Sequence, residues 1–467
     1  MRPCLAAQAG AATQEPHNFL RSSVNLLQSV PHKRAGQNTK MTAEIAVMNK
    51  SAVALAADSA VTIEHQGGQK IYNTVNKLFA LSRTCPVGIM NYGSAEITGV
   101  PWETIIRIYQ DHLGQRRFDR LEDYAKHFIS FLDRKNPIFP QAQQDLNFKW
   151  VIKTYFRSIR EEIEKSVKKE IEQTGKCENA KVRRFCDKHV GMEFKMWQRA
   201  KRLKHLPQNH ARKILAKYRA TITKIVSDVF EELPLSRTAL SKLKTIPGDL
   251  FSKELFPMNC SGVVIAGFGE KETFPSVQSC EAESVINNRL KYRTTPKSSR
   301  INFKNTASVI PFAQDDVVFT FVEGTDPRYQ TLVVSNLNKI LSFYPDQIVP
   351  KLNVTTNQKK KIIKSLRLFG NKMREMFGDQ LDNHRRQNHM SPLLEVIDVL
   401  PKDELAAMAE SLVNLTCLKR KMSLGVETVG GPIDVAVISK GEGLIWIKRK
   451  HYFKKELNPQ FFMRYNE

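Results

Sequence analysis

A threonine, an aspartate and a lysine lie at spacings that could support nucleophilic catalysis. Thr42 directly follows Met41, Asp58 comes 16 residues later within an apolar run, and Lys77 lies further along the chain. A threonine hydroxyl is a weak nucleophile at neutral pH unless a base lies beside it. An N-terminal threonine carries that base itself, because its α-amine has a pKa of about 8. Cleavage before Thr42 would create this group.

Such a catalyst also needs a cation, an acid that holds the cation in place, and backbone N–H groups that receive the developing oxyanion. We expect Lys77 to be the cation and Asp58 its acid, while Lys70 competes for the cationic role. Each residue also has an ordinary interpretation. Thr42 could be a strand residue behind an uncleaved leader, Asp58 a strand-end acid, and Lys77 a surface lysine whose stem lies along a strand.

Hydrophobic periodicity predicts how the first two residues are positioned. Alternating apolar residues from Thr42 onward predict two strands joined by a tight turn at Asn49-Lys50-Ser51. Asp58 ends the second strand, which is antiparallel to the first. Thr42 and Asp58 are therefore expected at the same rim of a sheet.

The next elements are predicted to form a second hairpin and a covering helix. Gly67-Gly68 is the turn signal, Lys77 lies on one of the strands, and the strand "VGIMNYG" ends at Gly93. A helix is then predicted to begin at Pro101, with its apolar residues on one face.

Longer helical patterns interrupt the strands that follow. One apolar stripe predicts a long helix that stops at Gly175, and "ARKILAKYRATITKIVSDVF" predicts another. Strands are predicted again in "CSGVVIAGFG", "TFPSVQSCEAES" and "DDVVFTFVEG", and a second helical stretch from about Tyr329 to Leu418. Two strands around a Lys-Gly-Glu-Gly turn are predicted near the C-terminus.

Composition limits the class of protein. The chain has 467 residues, of which 41% are hydrophobic and 25% charged, and contains no uncharged apolar run long enough for a membrane span. Seven scattered cysteines argue against a disulfide scaffold and for a reducing, cytoplasmic location. Cys177, Cys186 and His189 have the wrong spacing for zinc, so no metal is expected. We therefore expect a soluble protein that makes no membrane contact.

The positive charge is concentrated in one region. The net charge is +25, and residues 149–250 hold 25 Lys/Arg and 12 Asp/Glu, a net of +13. A regional basic surface attracts nucleic acid, anionic membranes or acidic proteins, although a solvated helical face is an equally good interpretation. The basic stretches lack the interleaved aromatic residues of a stacking platform for nucleic acid.

Several motifs together resemble a known family. The segments "TAEIAVMNKSAVALAADSAVT", "NTVNKLFAL", "VGIMNYGSAE" and "GGPIDVAVI" are similar to the β-subunits of the proteasome and its bacterial relatives, which are N-terminal-nucleophile (Ntn) hydrolases. The match is good from Thr42 to Tyr109 and loose in the strands after Val263. The long helices have no counterpart in the family.

The resemblance implies a fold and a set of site residues. It implies an α+β protein with a four-layer αββα Ntn-hydrolase sandwich, here with long helical insertions. Thr42 would be nucleophile and base, and Asp58 and Lys77 would tune it. The oxyanion donor would lie near Tyr92-Gly93, where the family has Gly-Gly and the Tyr92 side chain would add bulk to the substrate cleft.

Supporting residues are assigned less directly. The family has Asp-x-x-Ser before a late Gly-Gly, whereas this chain has Val426 and Val429 at those positions. Glu427 or Thr428 could substitute after a shift of register. Thr325 and Asp326 could stand near the other supporting serine of the family.

The interpretation divides the chain into six segments. They are 1–41, a leader, propeptide or mis-assigned start; 42–115, the first half of the αββα domain; 116–250, a basic helical insertion; 251–330, a continuation of the sheets; 331–400, a second helical insertion; and 401–467, the C-terminal helix and strands.

The expected function is hydrolysis of peptide bonds through an acyl-enzyme by a cytoplasmic threonine peptidase or amidohydrolase without a cofactor. Expected partners are a peptide or protein substrate and further copies of the chain in a homo-oligomer, and no ATP-dependent unfoldase is identified. The alternative is an inactive protein of the same fold whose basic helical insertion binds nucleic acid or an acidic protein, with strong salt dependence.

Overall fold

A computed structural model describes residues 42–65, 68–257, 260–423, 429–460 and 463, and within these ranges the protein is mixed α and β. The strands are β1 (Ala43–Asn49), β2 (Ala52–Ala57), β3 (Val61–His65), β4 (Gly68–Tyr72), β5 (Leu78–Ala80), β6 (Val87–Tyr92), β7 (Glu96–Ile97), β8 (Val100–Pro101), β9 (Ser261–Gly267), β10 (Ser276–Ile286), β11 (Arg289–Thr294), β12 (Ser299–Arg300), β13 (Ala307–Ala313), β14 (Asp434–Ser439) and β15 (Gly443–Lys448).

The described helices come in two runs, one between β8 and β9 and one between β13 and β14. They are α1 (Trp102–Leu113), α2 (Leu121–Leu132), α3 (Gln141–Thr174), α4 (Asn179–Arg199), α5 (His210–Lys217), α6 (Arg219–Phe230), α7 (Arg237–Leu250), α8 (Asp316–Glu323), α9 (Pro327–Ile348), α10 (Thr356–Arg385), α11 (Ser391–Val399) and α12 (Lys402–Lys421), with a π-turn at Arg386–Met390. Within the described ranges, no helix is both long enough and apolar enough to cross a membrane.

Two antiparallel sheets carry the chemistry-bearing residues. The first has the strand order β13-β1-β2-β14-β15, and the second has the order β11-β10-β9-β6-β5 with β12 beside β10. In the first sheet β2 lies between β1 and β14, which are distant in sequence. The residues that flank β1, β2 and β14 are thereby brought together at one rim.

Apolar side chains fill the space between the two sheets and cover their outer faces. Met48 and Leu55 of the first sheet share a cluster with Met90 and Val264 of the second. The other face of the second sheet packs against α1 and α2, and the other face of the first sheet packs against α11 and α12. Successive side chains point to opposite faces of a sheet, so a strand whose sheet is covered on both faces carries apolar residues on both.

The helices from α3 to α7 form a separate apolar core. Phe148 of α3 stacks on Tyr218, with ring centroids 3.9 Å apart, and Trp197 lies in the same cluster. The side chain of Lys291 in β11 donates to the carbonyls of Leu250 and Leu255, each at 2.7 Å. These bonds join the end of α7 to the second sheet.

The helices α9 and α10 form a hairpin whose principal contacts are with each other. Apolar residues on a second face of each helix remain exposed, including Ile340, Phe343 and Phe369. Residues 340 and 343 lie one turn apart and therefore on the same face.

Most predicted elements are confirmed, and besides the position of Lys77, described below, three corrections concern α8, β13 and a break at Tyr218. The segment "DDVVFTFVEG" is the helix α8 and not a strand, because Val318 and Val322 follow a helical period and pack on the first sheet. The edge strand of that sheet is instead β13, which the sequence interpretation missed. The predicted helix over 211–230 is broken at Tyr218 into α5 and α6.

Candidate active site

Thr42 lies at the start of the first sheet, directly before β1. Its carbonyl accepts a hydrogen bond from the backbone N–H of Gln314 at 3.3 Å, which extends the pairing of β1 with β13. Only 1% of its surface is exposed. The predicted nucleophile is therefore fixed by a sheet ladder and is buried in this chain, where Met41 precedes it.

Asp58 follows β2, at the same rim as Thr42, as the sequence predicts. Its Oδ1 accepts the N–H of Ala43 at 3.1 Å, and its Oδ2 accepts those of Gly430 at 3.0 Å and Ala60 at 3.3 Å. Three backbone donors and the lysine described next converge on one fully buried carboxyl group. Asp58 therefore ties β1, the segment at Gly430 and Lys77 together at this rim.

Lys77 lies within reach of Asp58, but it precedes the short strand β5 and does not lie inside a long strand as predicted. Its Nζ is 2.5 Å from Asp58 Oδ1 and 3.3 Å from Glu44 Oε1. Burial acts to lower the pKa of Lys77, but the two carboxyl groups outweigh burial and raise the pKa above its ordinary value. Lys77 is therefore held as a buried cation.

Glu44 is a second acid in the site that the sequence interpretation missed. It lies two residues after Thr42 and so on the same face of the strand, and its side chain is fully buried. Neither carboxyl oxygen accepts a hydrogen bond of ordinary geometry from the described residues. Burial raises the pKa of Glu44 to about 8, the attraction of Lys77 opposes that rise, and the charge of Asp58 adds to it.

Gly93 presents the predicted backbone donor to Thr42. Its N–H is 3.5 Å from Thr42 Oγ1, a long hydrogen bond. Gly93 has a φ of +79°, and a Cβ at this position would lie 2.4 Å from the carbonyl oxygen of Cys260. A residue with a side chain would meet both strain and a clash there, so glycine is required to aim this N–H group.

The Tyr92 side chain does not lie in an open cleft as predicted. It is buried between the two sheets, and its ring stacks on Phe312 with centroids 5.6 Å apart. A Cβ on Gly262 would lie 1.9 Å from the Tyr92 ring, so the absence of a side chain on β9 makes room for it. The Tyr92 side chain therefore packs in the core between the sheets, while its backbone leads into Gly93.

The remaining predicted site residues are not joined to this cluster by the described contacts. Asp326 caps α9 by accepting the N–H of Arg328 at 2.7 Å, and Thr325 lies in the turn before it. Among the described residues, no hydrogen bond or ion pair connects either of them with Thr42. Glu427 and Thr428 lie outside the described residues, as does the side chain of Lys70.

The late Gly-Gly motif does contact the site, through a backbone group. Besides donating from Gly430 to Asp58, this segment accepts the N–H of Ser59 at 3.1 Å through the Gly430 carbonyl. The sequence signal for Glu44 was its position two residues after Thr42. Gly430 could be recognised in the sequence only as part of the late Gly-Gly motif. Long-range backbone contacts have no signature in the sequence.

One groove of about 490 Å³ lies between α3, α4 and the end of α6, lined among others by Val167, Ile171 and Leu233. It belongs to the helical insertion, so cavity size does not indicate the site. No cluster of His, Cys, Asp and Glu that could hold a metal ion occurs within the described ranges.

Comparison of the chain with known proteins adds no relative. A scan against models of protein families found no match, and a search of curated proteins found no match either.

Proposed function

We propose that this protein is an N-terminal threonine hydrolase that cleaves peptide or other amide bonds through an acyl-enzyme. The arrangement that carries this proposal is a chain of contacts at one rim of the first sheet: Asp58 accepts the N–H of Ala43, the residue after Thr42, Lys77 pairs with Asp58, and the Gly93 N–H reaches Thr42 Oγ1. We further propose that the two apolar-packed sheets with helices on their outer faces are the αββα sandwich of the Ntn hydrolases. The described packing supports that assignment.

Cleavage between Met41 and Thr42 starts the proposed mechanism. It frees the α-amine of Thr42 and opens access to a hydroxyl group that is buried in the uncleaved chain. The positive charge of Lys77 favours the neutral form of that amine, so that it can act as a base. Asp58 keeps Lys77 in place through an ion pair and is itself held by the N–H of Ala43, the first residue of β1.

Bond making and bond breaking then follow the ordinary course of acyl transfer. The α-amine takes the proton of Oγ1, and Oγ1 bonds to the carbonyl carbon of the substrate. The Gly93 N–H stabilises the oxyanion, for which its position beside Oγ1 is suitable. The carbon–nitrogen bond breaks as the leaving nitrogen takes the proton back from the ammonium group, and water hydrolyses the ester.

Hydrolysis of fluorogenic peptides by the mature protein tests this proposal. We expect activity in preparations whose N-terminus is Thr42, and none in Thr42→Ala or in chains that retain Met41. Thr331→Ala is a matched control, because this exposed threonine lies in α9, away from the site. Activity that persists in Thr42→Ala, or its absence from a chain shown to begin at Thr42, would refute the proposal.

A second candidate is the binding of an anionic partner by an inactive protein of the same fold. The net charge of +13 in residues 149–250 favours it. Binding through phosphate contacts would weaken steeply as salt is raised. Titration of a labelled single-stranded oligonucleotide between about 50 and 200 mM salt measures this dependence.

A further inference from the structure

Two carboxyl groups flank Lys77, and their surroundings differ sharply. Asp58 receives three backbone N–H groups in addition to the ammonium group. Glu44 receives no backbone N–H group from the described residues; the donors that face it are the Lys77 ammonium, 3.3 Å from its Oε1, and the Thr42 hydroxyl. The Lys77 ammonium therefore lies between Asp58, whose oxygens accept backbone hydrogen bonds, and Glu44, whose oxygens do not.

Burying two anions beside one cation leaves a net negative charge among side chains that are at most 3% exposed, which is costly. The site avoids this cost if one carboxyl group keeps its proton. Hydrogen bonds to a carboxylate stabilise its charged form, so the proton belongs on the group that lacks them. Pairs of acids whose surroundings differ in this way divide their roles.

We propose that Glu44 is a neutral carboxylic acid at neutral pH and acts as a positioning residue that controls the protonation of Thr42. This inference deepens the proposed hydrolase and rests on it. The effect of burial on the pKa of Glu44, described above, agrees with the geometry. The other residues of β1 are apolar apart from Asn49, and Thr42 directly precedes the strand.

The charges around Glu44 determine what its ionisation does. Lys77 and Asp58 face it directly, the Thr42 hydroxyl lies on the same face of the strand, and the Cys417 thiol of α12 lies within electrostatic range. When Glu44 is neutral, the charge of Lys77 favours the neutral α-amine of mature Thr42. When Glu44 loses its proton to solvent, its negative charge offsets Lys77 and favours the inactive ammonium form.

In Glu44→Gln the side chain is neutral at every pH, so the variant shows the behaviour of the site without ionised Glu44. In mature protein we expect Glu44→Gln and the wild type to share the rising limb of the pH profile of kcat/KM wherever Glu44 keeps its proton. Above about pH 8 the variant should exceed the wild type, because ionised Glu44 favours the ammonium form of Thr42. Glu375→Gln, an exposed change in α10, should leave the profile where it is.

Thermal unfolding of the uncleaved chain tests whether Glu44 keeps its proton in the folded state, and this measurement does not require hydrolysis. The pKa of Glu44 is raised in the folded state, so the wild type loses stability relative to Glu44→Gln as pH rises from about 4.5 to about 8. We expect the difference in Tm to change by about 5 °C across that range. Parallel curves for wild type and Glu44→Gln would overturn the inference. Diverging curves together with no hydrolysis by any variant would uphold the neutral Glu44 and refute the hydrolase.

Discussion

Asp58→Asn is the substitution that most directly probes how the site is held together. Lys77 Nζ lies 2.5 Å from Asp58 Oδ1, and both side chains are at most 3% exposed. Removing one partner of a buried ion pair costs about 3–5 kcal/mol, because the other charge stays buried. The new amide group also cannot accept all three backbone N–H groups, and each unsatisfied donor costs about 1–3 kcal/mol.

Ionisation of Glu44 would offset part of this loss of stability. Glu44 lies 3.3 Å from Lys77 and can ionise once the charge of Asp58 is gone, which restores an anion beside the lysine. We therefore expect Asp58→Asn to lower the free energy of unfolding by about 3 kcal/mol, the lower end of the range for a broken buried pair. This is a large part of the roughly 5–15 kcal/mol that stabilises most proteins.

Equilibrium unfolding in guanidinium chloride, followed by tryptophan fluorescence, measures this loss. Asp111→Asn is the matched control, because Asp111 pairs with Arg83 at 3.4 Å on the surface and is 74% exposed. We expect the control to lose less than about 0.5 kcal/mol, as exposed pairs contribute little. A loss below about 1 kcal/mol for Asp58→Asn, or one equal to that of the control, would refute the buried ion-pair network.

Two further predictions concern packing and pH. Gly262→Ala places a Cβ 1.9 Å from the buried Tyr92 ring and should lower the free energy of unfolding by at least about 1–3 kcal/mol in chemical denaturation. Gly441→Ala is the control and should be nearly neutral, because no atom lies within 4 Å of its Cβ. Equal effects of the two substitutions would contradict the packing of Tyr92. Burial and then nearby cations, Arg289 foremost, lower the pKa of His210 from 6.5 to about 4. The wild type should therefore lose up to about 1.4 kcal/mol per pH unit relative to His210→Gln as pH falls through that window, measured by thermal unfolding, and unchanged pH slopes would refute it.

The first hairpin and its rim were predictable because local rules agreed there. Alternating apolar residues and the turn at Asn49-Lys50-Ser51 fix the register of β1 and β2, and that register places Thr42 and Asp58 together. The position of Lys77 relative to Asp58 came from the family resemblance, and the structure brings these two side chains into contact. Short-range pattern and motif were enough for these residues.

The parts that the sequence interpretation missed depend on tertiary structure. The β-branched residues of α8 favour a strand locally, but packing of Val318 and Val322 on the first sheet selects a helix. The role of Gly430 depends on β14 pairing with β2 across more than 370 residues. The lack of backbone donors to Glu44 depends on which groups its neighbours turn toward it, and periodicity does not reveal that.

A covalent adduct on Thr42 tests the central claim most directly. The protein would be treated with a threonine-directed inhibitor, digested, and read by mass spectrometry, with Thr42→Ala as the control. The account predicts a peptide that begins at Thr42 and carries the inhibitor on that residue. A chain in which Met41 remains attached and Thr42 is unmodified, under conditions where the protein hydrolyses peptides, would contradict it.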